Sequence, residues 1–143
     1  MKRVCTILSV SLTLAVAGMD ATTNPIDRNS WRLISFGHTR MAVPPGIVLR
    51  FTDGSYEGFA GCNGISGEYH LESDSLKLTQ NPSTQLACRY ISAETKFRKL
   101  LSETDSYEVR NDRLEMKSDG RPILIFAKDS DISTSDTNRT ADR

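Results

Sequence analysis

Two residue types in the middle of this chain can do chemistry. Cys62 and Cys88 stand 26 residues apart. Cys62 lies in the glycine-rich stretch Gly58-Phe-Ala-Gly61-Cys62-Asn63-Gly64-Ile-Ser-Gly67. His38 and His70 are the two histidines of the chain. A thiol is a nucleophile when a base and an electropositive niche stand beside it. With Cys88 and His70 it can bind a metal, although no fourth ligand stands at a diagnostic spacing. Joined to Cys88 it is half of a disulfide, the first reading for an even pair in an exported chain. A bridge over this separation stabilises a fold by roughly 3–4 kcal/mol in the chain-entropy model.

Other reactive patterns are missing. Glu68 and Glu72 flank an alternating segment and read as a solvated face. The sequence contains no G-x-S-x-G, H-E-x-x-H, Walker or dinucleotide pattern. The glycines at 58, 61, 64 and 67 precede a strand rather than a helix, so they read as turn geometry, with Asn63-Gly64 as a turn pair. Eighteen basic residues balance eighteen acidic ones, with no basic patch, so nucleic acid is not an expected partner. No cofactor or metal is expected either.

The ends of the chain point to export. Lys2 and Arg3 precede an apolar run from Val4 to Val16, too short for a confident membrane span, and Ala15-Val16-Ala17 offers a signal-peptidase site. The expected leader is 1–17, cleaved between Ala17 and Gly18; an uncleaved anchor is the alternative. The stretch "LAVAGM" has the form of a lipoprotein box with Met19 where the lipid-bearing cysteine would stand. A periplasmic or secreted protein with no integral membrane anchor is therefore expected. Residues 18–28 read as a linker and 128–143 as a disordered polar tail, too poor in apolar residues to offset the entropy of ordering.

The remaining domain, 29–127, is dominated by alternation. Segments 30–36, 47–51, 55–60, 68–72, 75–80, 107–110, 113–117 and 122–127 read as short strands, broken by Asp53-Gly54, Ser73-Asp74, Asn111-Asp112 and Asp119-Gly120. In the first, Trp31, Leu33 and Ser35 share one face and Ile34 and Phe36 the other. Residues 92–103 carry Phe97, Leu100 and Leu101 at helical spacing. Ser92 is the expected cap, Glu94 lies near the positive end and in weak pairing reach of Arg98, and Lys99 lies near the negative end. The expected fold is α+β: a strongly curved antiparallel sheet, a partly closed barrel of about eight short strands, packed on one helix.

The order Trp31-x-Leu33, Phe51-x-Asp53-Gly54, Gly61-Cys62-Asn63, Gly67-x-Tyr69, Thr84-x-x-Ala87-Cys88, Glu94-x-x-Phe97-x-x-x-Leu101 resembles the META domain, the HslJ-like family. Gln85-Leu86 departs from the Arg-Met that the family often has there. The resemblance implies a small curved α+β domain outside the cytoplasm, no known enzyme activity and no catalytic residues to carry over. It implies links to heat-shock induction, novobiocin resistance and, in Leishmania, virulence, and a shape similar to pilotins, which hold an apolar peptide. A non-enzymatic binding or accessory module of the envelope, monomeric, is expected, with an unknown protein or an apolar peptide or ligand as partner. A protease-inhibitor-like protein presenting the 37–46 loop is the alternative; a hydrolase using His70 or His38 is another. The candidate contact is the loop of Met41, Val43, Pro44 and Pro45, where proline limits the entropy lost on binding and methionine adapts to apolar partners.

Overall fold

A computed structural model describes residues 24–130 of the chain. The expected leader, the cleavage pair Ala17 and Gly18, and residues 131–143 of the tail lie outside the described residues. Eight strands and one helix follow in order: β1 (Asn29–Ser35), β2 (Val48–Thr52), β3 (Ser55–Phe59), β4 (Gly64–Glu72), β5 (Ser75–Leu78), α1 (Ile91–Glu103), β6 (Ser106–Arg110), β7 (Arg113–Ser118) and β8 (Arg121–Lys128). Each strand pairs antiparallel with the next, and β8 returns to β1. The sheet is thus a strongly curved ring. Its thinnest join is between β5 and β6, where Ser75 faces Ser106 and the Leu76 and Tyr107 N–H groups reach the Asp105 and Asp74 carbonyls, each at 3.0 Å.

The turns follow from residue chemistry. Asp53-Gly54, Asn111-Asp112 and Asp119-Gly120 each place two successive residues at positive φ. Such two-residue turns match the twist of the strands they join, and Asp, Asn and Gly tolerate that conformation best. Alternation then sends Trp31, Leu33, Leu49, Phe51, Tyr56, Ile65, Tyr69, Leu76, Leu114, Met116, Leu124 and Phe126 into one buried cluster. Phe51 meets Tyr69 edge-on with ring centres 5.2 Å apart.

Phe36 departs from the alternation expected of it. It is buried with Leu33, while Ile34 stays exposed. The register against β8 shifts between Leu33 and Ser35, so β1 carries a bulge there. One extra residue reverses the alternation beyond it.

The helix buries Ala93, Glu94, Phe97 and Leu101, and the Phe97 ring stands edge-on to Phe126, centres 6.3 Å apart. Ser92 is not its cap. The helix begins at Ile91, and Tyr90 holds the cap position with no side-chain bond. At the far end the Thr104 hydroxyl donates to the Leu100 carbonyl at 3.1 Å. Lys99 pairs with Glu103 rather than with the helix end. Among the described residues no helix is long and apolar enough to cross a membrane.

Packing extends past both ends of the 29–127 span. Ile26 is fully buried, and its carbonyl accepts the Trp31 indole N–H at 3.2 Å. Asp27 Oδ1 accepts the Tyr69 hydroxyl and the Asp53 N–H, both at 2.9 Å. Lys128 ends β8, and the Asp129 N–H donates to the Ser30 carbonyl at 2.8 Å. Residues 24–28 and 128–129 therefore belong to the packed unit. Both ends of the described chain leave at the rim that holds Asp53-Gly54. The 36–46 loop, the 60–63 turn and the start of α1 form the opposite rim.

Candidate partner-binding rim

Cys62 and Cys88 form a disulfide, their Cα atoms 5.9 Å apart. This is the pairing expected of two cysteines in an exported chain, and it is compatible with an oxidising compartment. It joins the β3–β4 turn to the irregular 79–90 connection. The turn itself is glycine-dependent: Gly61 has φ +116°, and a Cβ there would lie 3.7 Å from Ile47 and 3.9 Å from Tyr90.

The turn ends in a residue whose role differs from the turn pair expected of Asn63-Gly64. Gly64 already begins β4. The Asn63 side chain acts as a short strand segment, accepting the Leu86 N–H at 2.7 Å and donating to the Leu86 carbonyl at 3.2 Å. The otherwise exposed residues 81–87 are thus fixed to the sheet by a side chain as well as by the bridge.

Glu94 completes the junction. Its side chain is buried, at 3% exposure for the residue. Oε2 accepts the backbone N–H groups of Cys62 and Asn63, both at 2.9 Å. Oε1 accepts Asn63 Nδ2 at 3.0 Å and Arg98 Nε at 2.9 Å. Arg98 in turn reaches the Gly64 carbonyl at 3.0 Å. Burial alone raises a carboxyl pKa; the bonds from Arg98, Asn63 and Cys62 outweigh it and hold this one below its ordinary value. The weak pair expected of Glu94 and Arg98 does form, as part of a buried anchor.

Against this junction lies a shallow apolar groove of about 370 Å³, lined by Met41, Ala42, Val43, Pro44, Pro45, Arg89, Tyr90, Ser92 and Ala93. The Arg89 guanidinium sits 4.6 Å from the Tyr90 ring centre. Only part of the expected contact loop is free. Met41 and Pro45 are exposed, Val43 packs against the core, and Pro44 is buried. A second groove, about 610 Å³, runs along the outer face of β2, β3 and β4 between Arg50, Glu57, Phe59 and the Ser83-Thr84 edge.

The histidines are not brought to either cysteine. His38 is exposed in the loop after β1, and His70 is exposed on β4 opposite Lys77. Among the described residues no three His, Cys, Asp or Glu side chains gather closely enough to hold a metal ion.

Comparison with known proteins agrees with this architecture. A protein from Burkholderia xenovorans solved by NMR superposes with a TM-score of 0.60 at 24% identity, over 73% of this chain and 84% of that one. A DUF4847 family protein from Bacteroides vulgatus superposes with a TM-score of 0.58 at 15% identity, over 72% of this chain and 94% of that one. Both likenesses show the fold alone. No curated protein matches the sequence. The META domain model matches residues 24–130, the span that the packing marks out, and the chain belongs to the META domain family.

Proposed function

We propose that this protein is an exported, non-enzymatic module of the cell envelope. In this reading it serves stress tolerance or secretion assembly by binding an apolar peptide or protein segment. The observation that carries it is the groove between Met41–Pro45 and Arg89–Ala93. Its walls are held by the disulfide and by the Glu94 anchor, so little order is lost when a ligand enters. A non-catalytic role is supported by the joined thiols, which take Cys62 and Cys88 out of use as nucleophiles, and by the exposed, separate positions of His38 and His70. The leader pattern and the bridge support a periplasmic or secreted location.

A photo-crosslinking residue at Met41, with a second at His70 as reference, tests the reading in the exported protein. Adducts to one defined partner at position 41 and not at 70 are expected. Equal labelling at both positions, or none at 41, overturns it. A protease-inhibitor-like role is the second reading. It is favoured by the exposure of residues 39–42 on a loop pinned at Pro44. Stoichiometric titration against serine and cysteine proteases separates the two.

A further inference from the structure

We infer that the rim around the disulfide also docks onto an anionic lipid surface. Four large apolar side chains stand exposed there: Met41 at 41%, Phe59 at 42%, Leu86 at 66% and Ile91 at 40%. They come from four separate segments. Covalent and hydrogen-bonded links place those segments together. Phe59 lies against Gly46 at the end of the 36–46 loop. Leu86 is held by Asn63, Cys88 by Cys62, and the Ile91 N–H by the Cys88 carbonyl at 3.1 Å. Large apolar side chains gathered at one end of a small domain mark an interaction surface.

Charge selects the partner. The segments 36–47, 58–63 and 79–93, which lie at this rim, contain no Asp or Glu, although the chain has eighteen; Glu57, exposed two residues before Phe59, stands opposite Arg50 across β2 and β3. Arg40 and Arg89 stand beside Met41 in sequence and in the groove respectively. The carboxylate that follows, Glu94, is buried and engaged by Arg98, Asn63 and Cys62. Apolar groups flanked by arginines, with the adjoining Glu57 set opposite Arg50, suit a headgroup layer over acyl chains. A peptide filling the groove near Pro45 would meet Met41, but Phe59, Leu86 and Ile91 do not line that groove. A broad lipid surface is the partner we assign to all four. Both ends of the described chain leave from the opposite rim. The inference goes beyond peptide capture and does not depend on it.

Sedimentation of the exported chain, its N-terminus fixed by mass spectrometry, with vesicles of phosphatidylglycerol or of phosphatidylcholine tests it. At least about tenfold tighter binding to the anionic vesicles is expected, weakening as salt is raised. Arg40→Glu with Arg89→Glu should weaken that binding at least about tenfold, as should Met41→Asp with Ile91→Asp. Arg28→Glu, on the opposite rim, should leave it unchanged. Circular dichroism checks each fold, and the arginine pair decides if the aspartate pair does not fold. The inference is overturned if phosphatidylglycerol vesicles do not carry the protein down, if neither rim variant weakens binding, or if Arg28→Glu weakens it as much as the arginine pair does. Capture of an acidic apolar peptide without vesicle binding overturns it too, while leaving the peptide-binding reading intact.

Discussion

The Glu94 carboxylate of α1 accepts the backbone N–H groups of both Cys62 and Asn63, each at 2.9 Å. A helix side chain thereby supplies the acceptor that a tight turn cannot find within itself. The helix, the disulfide turn and the 81–87 segment become one rigid junction. Glu94→Gln keeps the shape but removes the charge and places an N–H₂ group where a donor already points. It should lower stability by about 2–3 kcal/mol, since charge-assisted bonds are lost and buried donors go unmet. Urea unfolding of the oxidised protein measures this. The pH dependence has a definite sign. The folded pKa lies below the ordinary 4.5, so the stabilisation is present above that value and is lost as pH falls through and below it. The variant should show a flatter acid limb than the parent chain.

Reduction of the bridge should weaken the fold without abolishing it. The double variant Cys62→Ser, Cys88→Ser is expected to lose roughly 3 kcal/mol. The Asn63–Leu86 pair and Glu94 still tie the same segments, so far-ultraviolet circular dichroism at 25 °C should be retained. Non-reducing mass spectrometry of exported protein should show no free thiol at Cys62 or Cys88; two free thiols there would count against the bridge.

Two glycines of β4 should respond oppositely to alanine. A Cβ on Gly67 would meet the Thr79 carbonyl oxygen at 1.8 Å and the Tyr56 hydroxyl at 2.8 Å. That hydroxyl donates to the same carbonyl at 2.8 Å, so neither atom can withdraw without losing the bond. Gly67→Ala should cost about 3 kcal/mol or more. A Cβ on Gly64 meets only the Gly58 carbonyl at 3.9 Å, an ordinary contact. Gly64→Ala should stay within about 1 kcal/mol, and on the stabilising side if unfolded-state entropy dominates. Thermal melts of the two variants provide the comparison.

Tyr56 and Tyr69 should ionise late. Burial pushes each phenol up to about 12 from the ordinary 10.0. The neutral form is the one the fold favours, so this contribution is present below pH 10 and is lost as pH rises through about 12. Absorbance titration should show phenolate delayed at these two positions. Tyr56→Phe should remove part of the alkaline loss together with the bond to Thr79.

Much of the ring was legible before its geometry was known. Strand positions followed from period-two alternation, and Asp53-Gly54 and Asp119-Gly120 announced their turns. The bulge between Leu33 and Ser35 was not legible, because alternation cannot reveal where one residue is added. Ile26 was hidden in a polar stretch that read as linker; a lone apolar residue gives no period. Glu94 was the main omission at the site. A carboxylate in the first turns of a helix reads as a surface group, and its partners lie 31 and 32 residues away. The available signal was the Gly61-Cys62-Asn63 turn itself, whose N–H groups needed an acceptor that no nearby side chain provided. The 41–45 loop reads as a partner contact, yet Val43 and Pro44 are packed, since a loop over a small core covers it as well as displaying residues.

The thin β5–β6 join and the return of β8 to β1 have a consequence for how the chain is made. Synthesis delivers residues in order, and β1 to β5 emerge before α1, β6 or β8 exist. During that interval two strand edges stand bare at once, β1 awaiting β8 and β5 awaiting β6, and the inner faces lack Phe97 and Phe126. Bare edges beside apolar faces invite pairing between chains. A chain ending at residue 90 should therefore self-associate at concentrations where the full chain stays dispersed, as light scattering would show. A chaperone that holds incomplete chains would act on this protein before its last strand arrives and have no purchase on it afterwards.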